Sequence, residues 1–157
     1  MKFTLYNIGK TDVEYIRQGI EDYTGRISHF TDFSIIDLPA VKHTKKTSPD
    51  DLTSREGDMI LKAVSGANLM ILLDEKGKEF TTNEFSNWLK NVMNQGIKKI
   101  AFVTGGAYGF SENLYRNSSF QIALSKFTFT HQMARLIFVE QFYRALTIVK
   151  GIPYHNN

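Results

Sequence analysis

The sequence predicts an α/β domain built on a mostly parallel sheet with helices on both faces. Three observations lead there. Short β-prone segments alternate with stretches of helical periodicity along the chain, the order expected of strands joined by helical crossovers. Leu69 to Leu73 is a continuous apolar run of the kind buried on both faces of a sheet. No linker, internal repeat or low-complexity segment divides the 157 residues, a length suited to a single domain, 1–157.

Taken in order, Phe3 to Ile8 is β-prone, and Val13, Ile16, Ile20, Tyr23 and Ile27 recur at helical spacing across a helix from Asp12 to about Ile27. Phe33 to Leu38 forms the second strand. Pro39 to Asp50 carries Lys42, His43, Lys45 and Lys46 without apolar periodicity and reads as a basic loop, after which Ser48 and Asp50 offer N-caps for a helix to about Val64. Leu69 to Leu73 is a strand, Thr81 to Gln95 a helix and Lys99 to Thr104 a strand. A Gly-rich turn follows, Gly105 to Gly109. Ser111 caps a short helix to about Asn117, Phe120 to Leu124 is the last strand, and Gln132 to Lys150 is a long helix ahead of the tail. That helix has apolar residues on more than one stripe, so most of its sides must be covered. The pattern leaves open whether a central position in the core or a dimer interface covers them.

Composition narrows the function classes. No cysteine is present, and the four histidines show no ligand spacing, so no structural metal is expected. No apolar run approaches the roughly 20 residues of a membrane span, and the N-terminus lacks the features of a secretory peptide, so a soluble cytoplasmic protein is expected. A net charge of +3 is compatible with an anionic partner but does not require one.

In parallel α/β sheets ligands bind beyond the carboxyl ends of the strands, which directs attention to three loops. These are Leu73 to Lys78, Thr104 to Gly109, and Leu124 to His131. The Gly-rich turn matches neither G-x-G-x-x-G nor a P-loop, and glycines of this kind also serve ordinary chain reversal. His131 with Arg135, and Glu140 with Arg144, lie four apart on helix faces. An intrahelical ion pair is the plainer reading of Glu140 with Arg144, and a frayed end the plainer reading of Tyr154-His155; stacking on a base is the functional alternative for the tail.

Together these segments resemble the RlmH family, the SPOUT-class methyltransferases of ribosomal RNA pseudouridine. The resemblance runs from Met1 to the tail. It is carried by Gly105-Gly106-x-x-Gly109, by Leu124 to Phe129 followed by His131-Gln132-Met133-x-Arg135, by Val139-Glu140-Gln141-x-Tyr143-Arg144-Ala145, and by Tyr154-His155. It implies a C-terminal trefoil knot, S-adenosyl-L-methionine as cofactor, and a homodimer whose active site uses both subunits. The cofactor contacts implied are Leu73, Gly105, Gly106, Leu124, Ser125, Lys126, Phe127, Thr128 and Phe129. The substrate implied is N3 of a pseudouridine in helix 69 of 23S rRNA, within the 70S ribosome.

The chemistry expected is displacement at a sulfonium methyl by an imide nitrogen, which calls for alignment and for help with proton loss. His131, Arg135, Arg144, Tyr154 and His155 are the candidate catalytic residues, with Tyr154 packing the base and His155 or an arginine easing proton loss. Lys42, Lys45, Lys46, Lys76 and Lys78 are candidate phosphate contacts. Two departures stand out: Asn156 and Asn157 follow Tyr154-His155 where the family commonly has a basic residue, and Thr130 stands where a proline often precedes the histidine. The rival readings are a noncatalytic RNA- or ribosome-binding protein, a knotted methyltransferase acting at another RNA position, and a flavodoxin-like binding protein.

Overall fold

A computed structural model describes residues 1–42, 44 and 47–154. The expectations for His43, Lys45, Lys46, His155, Asn156 and Asn157 fall outside the described residues. The ten elements are β1 (Lys2–Ile8), α1 (Glu14–Ile27), β2 (Asp32–Leu38), α2 (Pro49–Ala63), β3 (Leu69–Glu79), α3 (Thr82–Asn94), β4 (Lys99–Thr104), α4 (Glu112–Asn117), β5 (Phe120–Ala123) and α5 (His131–Val149). The strands form one sheet in the order β2-β1-β4-β3-β5, and each neighbouring pair is parallel. All strand carboxyl ends therefore share one edge.

Both faces of the sheet are covered. On one, Ile27 of α1, Phe85 and Leu89 of α3, and Phe138, Val139 and Phe142 of α5 pack against Phe3, Ile71 and Phe102 of the strands. On the other, Ile60 of α2 and Leu114 of α4 meet Leu72, Ala101 and Val103. Helix α5 lies between α1 and α3, which cover most of its sides and leave Met133, Ile137 and Ile148 half-buried. Within one chain it is a central core helix. Its approach to α1 depends on Gly19, where a Cβ would lie 2.8 Å from Leu136 Cδ1. Phe142 is wholly buried, its ring centroid 5.0 Å from that of Phe3, 5.3 Å from Phe33 and 5.7 Å from Phe102.

Local chemistry sets the boundaries. Ser48 accepts from the Asp51 amide with Pro49 in the first turn, and Thr81 with Glu84 forms a reciprocal capping box. Helix α1 begins two residues later than its apolar spacing suggests. The amides of Asp12 and Val13 instead donate to the Gln132 side-chain oxygen, each at 3.1 Å, and the Gln132 amide nitrogen returns a hydrogen bond to Asp12.

Strand β3 departs further from expectation. It does not end at Leu73 but continues to Glu79, and Ile122 of β5 pairs first with Leu73 and again with Lys78. The chain bulges out between these two pairings. Asp74 to Gly77 leave the core, which is why the apolar run stops at Leu73, and re-entry is made through Gly77. A Cβ there would lie 2.6 Å from the backbone of Gln121 and of Ile122, so only glycine fits.

Candidate functional site

The carboxyl ends of β3, β4 and β5 enclose a cavity of about 730 Å³, within the roughly 300–1,000 Å³ range of small-molecule sites. The three loops singled out in the sequence form its wall. Leu73, Gly105, Gly106, Leu124, Ser125, Phe127, Thr128 and Phe129 line it. Lys126 does not, because its side chain is 86% exposed and reaches toward Glu79 at 3.9 Å.

Each wall has a local cause. The β3 bulge carries Asp74 to Lys76 over the cavity, and Asp74 folds back to accept the Lys76 amide at 2.7 Å. Asp74 also accepts a hydrogen bond from the Tyr115 hydroxyl. Burial and the Asp74 carboxylate push the Tyr115 phenol far up, so it remains a donor. After β4, the Gly109 amide donates to the Gly106 carbonyl at 3.2 Å, with Gly109 at φ +79°. A Cβ on Gly105 would lie 3.3 Å from the Gly109 carbonyl oxygen and the Phe110 ring, so here the lining is backbone. In the third loop, Ser125 accepts the Phe127 amide at 2.9 Å and turns the chain across the cavity. Beneath, Thr104 donates to Asn7 at 2.7 Å and Asn7 to Asp37 at 2.9 Å, tying the ends of β4, β1 and β2 together.

The candidate catalytic residues fall into two groups. His131, the first residue of α5, stands exposed on the cavity wall. Desolvation by the surrounding loops and the positive charge of Arg135 hold its imidazole below the usual histidine value, against the opposing pull of Asp12. It is neutral at pH 7 and able to accept a proton. Arg135 is one turn on but wholly buried. Its guanidinium donates to the Ile8 carbonyl at 2.6 Å and to Thr11 at 2.9 Å, fastening α5 to the end of β1. It does not line the cavity.

Arg144 and Tyr154 stand at the other end of α5. Thirteen residues at 1.5 Å rise put Arg144 roughly 20 Å from His131. The guanidinium is bound to Glu140 at 2.5 and 3.0 Å, the intrahelical pair the spacing suggests, and lies 4.8 Å from the Tyr154 ring centroid. Tyr143 meets Tyr154 edge-on at 4.8 Å, and the hydrogen bond the Tyr23 phenol donates to Tyr154, with burial, raises it to about 12. Tyr154 is thus held in a cluster of rings and guanidinium groups. His155 lies outside the described residues.

The residues missed from sequence are Glu112 and Tyr115 on the cavity wall and Glu56 behind it, while Asp74 lies in the first candidate loop without having been given a role. Glu56 had a signal: it continues the buried stripe of Leu52 and Ile60 on α2, where an ionisable residue is out of place. Among the described residues no group of three or more potential ligands could hold a metal ion, and no helix is long and apolar enough to cross a membrane.

A parallel sheet with one cavity wall made of glycine turn and looped backbone at the ends of β3, β4 and β5 agrees with a methyltransferase class. The model of a family described as a predicted SPOUT methyltransferase matches residues 1–155. A solved structure titled a probable methyltransferase from Bordetella pertussis Tohama I shares the fold, with a TM-score of 0.56 over 92% of this chain and 96% of that one at 9% identity. Much nearer in sequence are proteins named ribosomal RNA large subunit methyltransferase H. Those of Parabacteroides distasonis, Phocaeicola vulgatus and Christiangramia forsetii are 47%, 45% and 44% identical over 156 residues, covering 99% of each chain. The chain belongs to this RlmH family of SPOUT methyltransferases.

Proposed function

We propose that the protein methylates N3 of a pseudouridine in helix 69 of 23S rRNA, using S-adenosyl-L-methionine and acting as a homodimer on the assembled 70S ribosome in the cytoplasm. The observation that carries the reading is the meeting of three loops, separated in sequence, around one cavity whose lining joins a glycine turn and apolar side chains to polar and acidic ones. Its volume and its carboxylate rim of Asp74, Glu75 and Glu112 suit a nucleoside that bears positive charge.

Leu73, Gly105, Gly106 and the run Leu124 to Phe129 would hold this cofactor, with Lys126 contributing only its backbone. When bound, S-adenosyl-L-methionine supplies an activated methyl group on a sulfonium, and the trefoil knot implied by the resemblance fixes the loops around it. The half-buried Leu124 and Phe129 shield the site from water. His131, neutral and at the wall, takes the proton that the imide nitrogen loses.

The separation of His131 from Arg144 is the reason for a dimer. Roughly 20 Å along one helix keeps the two groups from sharing a substrate within one chain. Pairing two copies with their α5 helices antiparallel brings one chain's Arg144 and Tyr154 to the other's His131, and a two-fold pair does so twice. The half-buried stripe of Met133, Ile137, Glu140 and Ile148 is the surface available for it. Tyr154 packs the target base there, and the exposed Lys42, Lys76 and Lys78 contact phosphate without reading sequence.

The test is transfer of labelled methyl to 70S ribosomes from cells lacking the activity, beside separated subunits and naked RNA, with the modified nucleotide mapped. Label on the 70S particle alone, at the expected pseudouridine, supports the reading. No transfer despite cofactor binding would replace it with a binding protein. The shared site has its own test: His131→Ala and Arg144→Ala are each inactive, and mixed dimers regain roughly a quarter of the wild-type sites.

A further inference from the structure

Glu56 is the polar group for which the fold alone gives no reason. It occupies the buried stripe of α2 and is 6% exposed, yet its carboxylate makes no hydrogen bond or ion pair with any described residue. Desolvation by burial, with no compensating partner, raises its pKa. A largely buried glutamate with no cationic partner among the described residues is uncommon in a protein interior.

Its position is specific. A Cβ on Gly106 would lie 2.5 Å from Glu56 Oε2 and 3.0 Å from Oε1, so both oxygens fill the space that the glycine leaves vacant. Gly106 lines the cavity on its other side. The next residue of α2, Gly57, lets the helix close on the cap of α4, where a Cβ would lie 2.4 Å from Ser111 Oγ. Helix α2 thereby lies close to the turn at Gly106 and to the start of α4.

We propose that Glu56 adds, beyond the lining carboxylates Asp74, Glu75 and Glu112, to the cavity's preference for a cationic ligand over a neutral one of the same shape: from behind the Gly106 wall it attracts the positive charge that the methyl donor carries and the demethylated product lacks. This rests on the reading that the cavity holds S-adenosyl-L-methionine. At neutral pH that molecule has a sulfonium and an ammonium against one carboxylate, whereas S-adenosylhomocysteine has an uncharged thioether and is neutral overall. A partly desolvated carboxylate acts on such a charge with less screening than one in open water. Glu56 touches no reacting atom; it is a specificity-determining residue, and its effect is to hold the donor and release the product.

The experiment is calorimetric titration of the full-length protein with S-adenosyl-L-methionine and, separately, with S-adenosylhomocysteine, for wild type, Glu56→Gln and Glu56→Asp. Glu56→Gln keeps the shape behind Gly106 and removes only the charge. The expected result is a loss of donor affinity on the order of tenfold with product affinity nearly unchanged. Glu56→Asp, still charged, keeps part of the preference. Equal losses for both ligands in either variant would reduce Glu56 to a filler of the turn and overturn the proposal, as would unchanged affinities. Should Glu56→Gln fail to fold, the Glu56→Asp comparison decides alone. Failure of wild type to bind either ligand would instead overturn the reading of the cavity.

Discussion

Replacing Gly77 by alanine would place a methyl carbon 2.6 Å from the Gln121 carbonyl carbon and the Ile122 nitrogen, and 2.7 Å from the Ile122 carbonyl carbon. All three are backbone atoms of β5, and none can rotate aside. Relief requires β3 and β5 to part at the point where Lys78 and Glu79 rejoin Ile122 and Ala123. Overpacking of this kind costs about 2–3 kcal/mol, which for a domain of this size is roughly 5–10 °C in Tm. The same displacement moves Asp74 to Lys76, so cofactor affinity falls with stability. Scanning calorimetry with a titration of S-adenosyl-L-methionine measures both. Gly25→Ala is the control: it stands in α1 with nothing within 4 Å of the added carbon, and should raise stability by about 0.5–1 kcal/mol. A Gly77→Ala protein as stable as wild type, with cofactor affinity intact, would refute the assignment of the bulge as a glycine-dependent wall of the cavity.

Methyl transfer should rise with pH through a group titrating below the usual histidine value of 6.5 and level off by neutrality, since the depressed imidazole becomes a base early; a kcat/KM profile that His131→Gln leaves unaltered would remove the role. Glu56 gives the opposite sign in stability: a raised carboxylate stabilises the fold only while protonated, so wild type loses stability relative to Glu56→Gln as pH rises from about 4.5 through the elevated value, checked by urea midpoints at pH 4 and 7. Arg135→Met should cost about 2–4 kcal/mol, because the Ile8 carbonyl loses a 2.6 Å charged donor, and urea unfolding would show it. Phe142→Ala should cost about 3–5 kcal/mol by the same measurement, as it empties a site surrounded by four other rings.

Local signals were readable where they are local. Ser48-Pro49 and the Thr81-Glu84 box start their helices by short-range hydrogen bonds, and Lys99 to Thr104 is a strand at the bounds its pattern suggests. The cavity loops were readable because a parallel sheet places ligands at strand ends, whatever the loops contain. What escaped depends on distant partners. Leu73 looks like a strand end until Ile122 is seen to pair with Leu73 and again with Lys78. His131 and Arg135 share a helix side in sequence, yet four residues turn the helix by about 40° past a full turn, enough to put one on the cavity wall and the other in the core beside Ile8. Glu56 and Gly106 are fifty residues apart, and nothing in either neighbourhood announces the other.

The clasp between the two ends of the chain bears on how the protein is made. Gln132 completes the start of α1, and Arg135 closes the end of β1, across separations of 119 to 127 residues. The β1–α1 segment is therefore finished by a segment that follows it by 119 to 127 residues. While the chain is being translated, its N-terminal strand and helix must wait with apolar faces uncovered until α5 has left the exit tunnel, and contacts of such long range slow folding. A nascent chain stalled before His131 is expected to be a client for chaperones, because β1 and α1 then lack the cover that α5 provides.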